Sequence, residues 1–292
     1  MQPAHILHPR PEGLYCPKAD LYIDPTRPVA RALITHGHSD HARAGHGAVL
    51  ATAETLAIMA ARYGPGFAGS TQALKYGETL ELGGVAFSLH PAGHVLGSAQ
   101  AAAECGGTRV VVSGDYKRQP DPTCAPFEIV PCDVFISEAT FALPVFAHPS
   151  AEREVRKLLA SVAMFPERAH VIGAYALGKA QRVMAELKRC GWDKPIFVHG
   201  ALMELTKLYQ AHGVELGDIR HVETAPKSFY AGAIVLCPPG ALQTPWVRRF
   251  PDPVTSVASG WMRIRARARQ QGVELPLVIS DHADWGDLQK TI

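Results

Sequence analysis

An α/β fold is predicted by three features of this sequence. Short apolar runs bounded by Gly and Pro alternate with amphipathic helical stretches. The 292 residues are 47% hydrophobic, enough for one large core or two ordinary ones. The strand-like runs of the first half each end in a polar residue, as they do in proteins that carry chemistry at strand ends.

The elements follow in order. "VARALIT" (29–35) reads as a strand and "AETLAIMAARYG" (53–64) as a helix closed by glycine. "VAFSLHPAG" (85–93), "RVVVSGD" (109–115) and "DVFISEATF" (133–141) read as three further strands. From about Pro149 a second α/β texture begins: helix 150–165, strand 170–175, helix 179–191, strand 195–200 and helix 201–213. The last apolar run, "LPLVISDHADW" (275–285), again ends in His and Asp. This pattern predicts a first domain over 1–144, an inserted α/β domain over 145–272, and a return to the first domain over 273–292. No internal repeat or low-complexity tract interrupts it.

Composition excludes several classes. The six cysteines are scattered without a C-x-x-C pair, which argues against a zinc ribbon or a secreted disulfide framework and for a reducing cytoplasm. Prolines break the N-terminal "MQPAHILHPRPEG", and no run approaches eighteen apolar residues, so neither a signal peptide nor a membrane span is expected. A net charge of +2 gives no global sign of a polyanionic partner.

The chemistry concentrates in "LITHGHSDHARAGH" (33–46). In H-x-H-x-D-H, His36 and His38 project to one side of an extended strand end, while Asp40 and His41 fall on the following turn. His94 in "PAGHVLGS" and Asp115 in "VVSGDY" lie at two other strand ends, and the Asp115 carboxylate can bridge two ions about 3.5–4 Å apart. Imidazole and carboxylate donors suit zinc, with manganese or iron as alternatives.

"THGHSDH", "PAGHVLGS" and "SGDY", in that order, resemble the metal-binding motifs of the metallo-β-lactamase fold, a four-layer αββα sandwich. "DLYIDP" is similar to that family's first motif, which implies Asp24 as a carboxylate beside the site. "ISEATF", "GAYALGKAQ", "ASGWMR" and "ISDHADW" resemble the nucleic-acid-processing β-CASP branch, most closely its ligase-associated bacterial DNA exonucleases. The resemblance covers nearly the whole chain. It implies a metallo-β-lactamase sandwich with an inserted β-CASP-like domain. It also implies a metal-dependent exonuclease of DNA end processing and repair, with 5′ ends favoured and an ATP-dependent DNA ligase and its repair partners as associates. RNA processing of the β-CASP type, a nucleic-acid-binding module with an impaired metal centre, and a small-molecule hydrolase of the lactamase fold are the alternatives.

The resemblance assigns His282 as the group that protonates the leaving oxygen and Glu138 as its acidic partner, with Asp24 and Asp40 completing the catalytic set. That His282 is itself a metal ligand is the alternative. One ion receives His36, His38, His94 and Asp115; a second receives only Asp40, His41 and the shared Asp115. Related enzymes close the second site with a downstream histidine, whereas this sequence ends at Ile292, ten residues after His282, which reads as a shortened return segment. One tight zinc site and a weak or absent second site are therefore expected.

Two other features bear on nucleic acid. "GAYALGKA" has Gly173 and Gly178-Lys179 at P-loop spacing, but Ala180 stands where a magnesium-binding Ser or Thr is required, so an ATPase is rejected. What survives is Gly178 and Lys179 at a helix start, able to hold a phosphate. Arg263, Arg265, Arg267 and Arg269 alternate with small or apolar residues, so in an extended segment all four would face one way, along a nucleic-acid backbone.

Overall fold

The computed structural model describes residues 3–292, which divide into two compact units. The first runs through Ala142 and takes up Gly286–Ile292; the second is Leu143–Trp285.

In the first unit, strands β1 (His8–Arg10), β2 (Gly13–Cys16), β3 (Leu21–Ile23), β4 (Arg31–Leu33), β5 (His46–Ala51) and β6 (Ala68–Ala73) form one sheet in that order. β1 to β3 are antiparallel, and β3 to β6 are parallel. Helix α1 (Ala53–Tyr63) crosses between β5 and β6. The Thr52 hydroxyl accepts the N–H of Thr55 in its first turn, and Gly64, at φ 84°, closes it. A second sheet follows in the order β11 (Val134–Ile136), β10 (Thr108–Val112), β9 (Ala99–Cys105), β8 (Val85–Pro91) and β7 (Thr79–Leu82), antiparallel except for β10 with β11.

Alternation of side chains along the strands explains the layering. Leu21, Ile23, Leu33 and Leu50 meet Phe87, Leu89, Ala101, Ala103 and Val110 in a core between the two sheets. Their neighbours Ala32, Ile34, Val49 and Ala51 point the other way, toward Met59 of α1. The first unit is thus built as helix, sheet, sheet.

The second unit holds α2 (Ala151–Met164), β12 (His170–Gly173), α3 (Lys179–Arg189), β13 (Ile196–Val198), α4 (Gly200–Ala211), β14 (Ile219–His221), β15 (Ile234–Cys237), β16 (Val254–Val257) and α5 (Arg265–Gln270). Its five strands are all parallel, in the order β14-β13-β15-β12-β16. Burial on both faces is why β15, and β12 after His170, are apolar throughout, with every residue of both strands buried. Helix α6 (Trp285–Thr291) begins at the boundary and ends in the first unit, where Arg118 donates to Thr291 Oγ1 at 3.2 Å. No described helix is long and apolar enough to cross a membrane.

One boundary differs from expectation. Residues 273–285, read as a strand returning to the first domain, group with the second unit and contain no strand. The backbone of this segment is claimed by side chains: Lys157 Nζ donates to Pro276 O at 2.6 Å, Val278 N to Glu154 Oε2 at 2.9 Å, and Lys179 and Arg182 to the carbonyls of Ile279 and Ser280. Leu277 makes a single parallel bridge to Ala258, and beyond it the carbonyls of Ile279 and Ser280 serve buried Lys179 and Arg182 in place of a ladder.

His170 opens β12, between β15 and β16, with no exposed surface, and its Nε2 lies 2.8 Å from Ser161 Oγ. Burial, aided by the Arg168 charge, pushes its pKa down to about 4. The unfolded chain takes up this proton near the ordinary value of 6.5 and the folded chain only near 4, so stability is expected to fall as pH drops through that window. The loss is on the order of 2 kcal/mol between pH 7.5 and pH 5, and urea unfolding of the wild type at those two values, set against His170→Gln, checks it. A pH slope equally steep in the variant would exclude His170 as its source.

Candidate metal centre

His36 and His38 follow β4, His94 follows β8, and Asp115 follows β10, so the two packed sheets bring three strand ends to one place. His36 Nε2 lies 3.1 Å from His38 Nδ1, which lies 3.0 Å from His94 Nε2. Asp115 Oδ2 lies 3.4 Å from His36 Nε2 and 3.7 Å from His94 Nε2. All four donors fall within 4.8 Å of one another. A tetrahedral ion with bonds of about 2.0–2.1 Å needs its donors about 3.3–3.4 Å apart, and these four separations bracket that edge. Three imidazoles and one carboxylate at this spacing fit a zinc-sized divalent ion.

Proton placement agrees with that fit. Asp24, on the turn after β3, accepts Thr35 N at 2.8 Å on Oδ1 and the Thr35 hydroxyl at 2.6 Å on Oδ2. Thr35 Oγ1 also lies 3.1 Å from His36 Nδ1. A hydroxyl has one proton, and the carboxylate takes it, so His36 Nδ1 must be the donor in the second contact. Neutral His36 then presents a lone pair at Nε2, toward the other three donors. Gly114, at φ +54°, permits this contact: a Cβ there would come within 2.7 Å of Thr35 Oγ1.

Other residues fix the loops. Arg62 of α1 donates to Gly37 O at 2.7 Å, between the first two histidines. Thr52 and Thr55 both donate to Gly97 O, at 2.7 and 3.0 Å, tying the His94 loop to the start of α1. Ser98 Oγ accepts from the backbone of His94 and Val95 at 3.1 Å each. Glu138 Oε1 accepts Tyr116 N at 2.7 Å, and Ser113 Oγ accepts Glu138 N at 3.1 Å, which anchors the backbone beside Asp115. Lys117 and Asp121 form a buried ion pair just beyond it. Sequence reasoning passed over Thr35, Arg62, Thr52, Thr55 and Ser98; the one visible signal was a threonine ending the apolar run before His36.

Thr35→Val keeps the shape of the side chain and breaks the relay. Metal affinity is expected to fall by about 10–100-fold, as for other outer partners of metal ligands. Competition with a chromophoric chelator measures it, and unchanged affinity would remove Thr35 from the ligand support.

The remaining expected site residues are distributed as follows. His41 Nδ1 lies 2.8 Å from Asp24 Oδ2 and its Nε2 3.6 Å from Asp115 Oδ2. Burial lowers its pKa, but the Asp24 hydrogen bond and the charges of Asp24, Asp115 and Asp40 outweigh that and push it up to about 9. Asp40 is exposed on the turn, and neither Asp40 nor His41 belongs to the four-donor group. His282 lies in the second unit, its backbone N–H donating to Ser280 Oγ at 3.1 Å.

Two expectations about phosphate contacts are corrected. Lys179 does open α3 after Gly178, but it is 2% exposed, its Nζ donating to Ile279 O at 3.1 Å and pairing with Asp281. Its charge is spent inside the unit, and Gly178 N is taken by Gln181 Oε1 at 2.8 Å. The arginine segment is helical instead of extended: Arg263 ends a 3-10 turn and α5 carries the others. At 3.6 residues per turn Arg265 and Arg269 share a face, whereas Arg267 points away and lies 5.0 Å over the Trp261 ring. All four remain exposed.

The fold and the centre define a class: an α/β protein with a two-sheet unit that gathers three histidines and an aspartate at its strand ends. No family model matches the chain. It is 29% identical over 288 residues to a probable DNA ligase of Opitutus terrae, covering 96% of this chain and 27% of that protein. It is 34% identical over 116 residues to the endoribonuclease YSH1 of Kluyveromyces lactis, covering 39% of this chain and 15% of that protein. The chain thus matches about a quarter of the ligase's own length and 15% of the endoribonuclease's. A crystal structure of a protein of unknown function from Enterococcus faecalis V583 has a TM-score of 0.59 at 12% identity, covering 89% of this chain and 72% of that one, which shows a shared fold. Together the sequence likenesses point to the metallo-β-lactamase/β-CASP superfamily.

Proposed function

We propose that this chain is a metal-dependent phosphodiesterase acting on DNA, an exonuclease that trims ends, preferentially 5′ ends, before ligation. The carrying observation is the convergence of His36 Nε2, His38 Nδ1, His94 Nε2 and Asp115 Oδ2, with the His36 tautomer fixed by Thr35 and Asp24. An ion bound there supplies Lewis-acid activation of water and charge stabilisation on phosphoryl oxygens. In this reading Asp24 orients His36 and His41, Glu138 holds the backbone beside Asp115, and His282 delivers a proton to the leaving oxygen. Exposed Asp40 contributes charge beside His41. The exposed pair Arg265 and Arg269, with Arg263, contacts the phosphate backbone. The architecture proposed with it is an αββα sandwich carrying a β-CASP-like insertion, working in the cytoplasm.

The likeness to a probable DNA ligase over 96% of the chain supports a DNA substrate and an ATP-dependent ligase as partner. The likeness to an endoribonuclease over 116 residues favours a second reading, RNA cleavage by the same centre. Incubation with zinc or manganese and end-labelled single-stranded DNA and RNA of one sequence separates them. Stepwise shortening of DNA is expected; cleavage of RNA alone moves the assignment to the second reading, and no cleavage of either overturns both.

Metal stoichiometry is a further expectation. Four donors converge for a first ion, and the ligands assigned to a second are three, His41, the shared Asp115 and exposed Asp40, with His41 Nε2 3.6 Å from Asp115 Oδ2. One zinc per chain is expected after exhaustive dialysis, the second ion being weakly held or absent. A stable value near two would mean that another residue completes the second site.

A further inference from the structure

We infer that Lys179 and Arg182 are positioning residues for His282, holding the turn before it in one conformation; the inference rests on the proton-delivery role proposed above. Lys179 and Arg182 stand three apart on α3, share a face, and are both buried. Lys179 Nζ donates to Ile279 O at 3.1 Å and pairs with the Asp281 carboxylate, while Arg182 Nη1 donates to Ser280 O. Three successive residues, 279 to 281, thereby each give an acceptor to two buried cations. The next residue is His282. Its N–H donates to Ser280 Oγ at 3.1 Å, and that hydroxyl donates back to His282 O at 3.1 Å, so the restraint passes directly to its backbone.

The start of α3 is itself fixed. Gly178 takes φ 83°, its N–H is accepted by Gln181 Oε1 at 2.8 Å, and Gln181 Nε2 donates to Ala176 O at 3.0 Å. Both cations therefore project from a rigid helix end. No strand pairs with residues 279–282, so backbone hydrogen bonding within a sheet does not define their path. Burying two cations is repaid only when their partners are held in good geometry, which makes this contact set specify a conformation in addition to filling space. The lysine at P-loop spacing thus serves the histidine instead of a nucleotide.

The test compares wild type, Lys179→Met/Asp281→Asn, His282→Ala and the triple variant. Lys179→Met alone leaves a buried carboxylate without its partner and is expected to destabilise the fold, whereas the double variant removes both charges. Lys179→Arg, which keeps the charge but displaces it from the Ile279 carbonyl, serves the same comparisons if the double variant unfolds. In histidine-ring NMR of the folded double variant, the His282 signal, assigned by its loss in His282→Ala, is expected to shift or broaden while those of His36, His38 and His94 stay in place. An unmoved His282 signal overturns the inference without reference to activity. On single-stranded DNA with manganese, kcat is expected to fall at least tenfold with KM unchanged, and the triple variant to be no slower than His282→Ala, since both changes act through one group. Full additivity overturns the inference. If His282→Ala is slow and the double variant normal, positioning alone fails; if His282→Ala turns over like wild type, the proton-delivery reading fails and takes positioning with it.

Discussion

Asp115→Ala is expected to lose both the bound metal and all measurable phosphodiester cleavage. Its Oδ2 lies 3.4 Å from His36 Nε2, 3.7 Å from His94 Nε2 and 3.6 Å from His41 Nε2, so one oxygen faces three imidazoles. It is also the one anion among the four converging donors. Three neutral imidazoles would be left to hold a divalent charge, with the bridging position to any second ion removed as well. Losing an outer partner costs about 10–100-fold in metal affinity, and losing a first ligand is expected to cost more. The fold is expected to persist, because the backbone here is tied by Glu138, whose Oε1 accepts Tyr116 N at 2.7 Å and whose N–H donates to Ser113 Oγ at 3.1 Å, neither of which involves the Asp115 side chain. Metal content by mass spectrometry, cleavage of end-labelled DNA and a thermal melt are read on one preparation. A folded variant that keeps its metal, or that cleaves normally, overturns the centre as described.

The donor atoms were legible because strand ends are legible. An apolar run that stops at His or Asp marks where a chain leaves the core, and parallel or packed sheets collect such ends on one edge. The supporting shell was much less visible: Arg62, Thr52 and Thr55 reach the His36 and His94 loops from α1, across distances in sequence that no local pattern records. The arginine run misled because alternation of large and small residues fits a strand, yet Ala266 and Ala268 are good helix formers and Ala268 is buried beside Met262. Likewise "LPLVIS" has the composition of a strand, but its carbonyls meet Lys157, Lys179 and Arg182, three cations on helices α2 and α3. Lys179 illustrates the limit most clearly. Its spacing from Gly173 suggests phosphate, and only its burial and its pairing with Asp281 show that the charge is already satisfied.

His282→Ala is expected to lower turnover by about 10²–10⁴, the usual range for loss of a general acid or base, while the metal content stays near that of wild type. The imidazole is partly exposed, next to the buried Asp281, whose Oδ1 lies 3.9 Å from His282 Nε2. That distance is too long for a hydrogen bond, and the Asp281 carboxylate pairs with Lys179. The four-donor group around Asp115 is complete without His282, which is why its removal should spare the first ion. A leaving alkoxide of high pKa depends on the donated proton, whereas an activated aryl leaving group does not. The variant should therefore be far less impaired on a p-nitrophenyl phosphodiester than on DNA. Equal impairment on both substrates would exclude proton delivery, and loss of metal together with activity would make His282 a ligand instead.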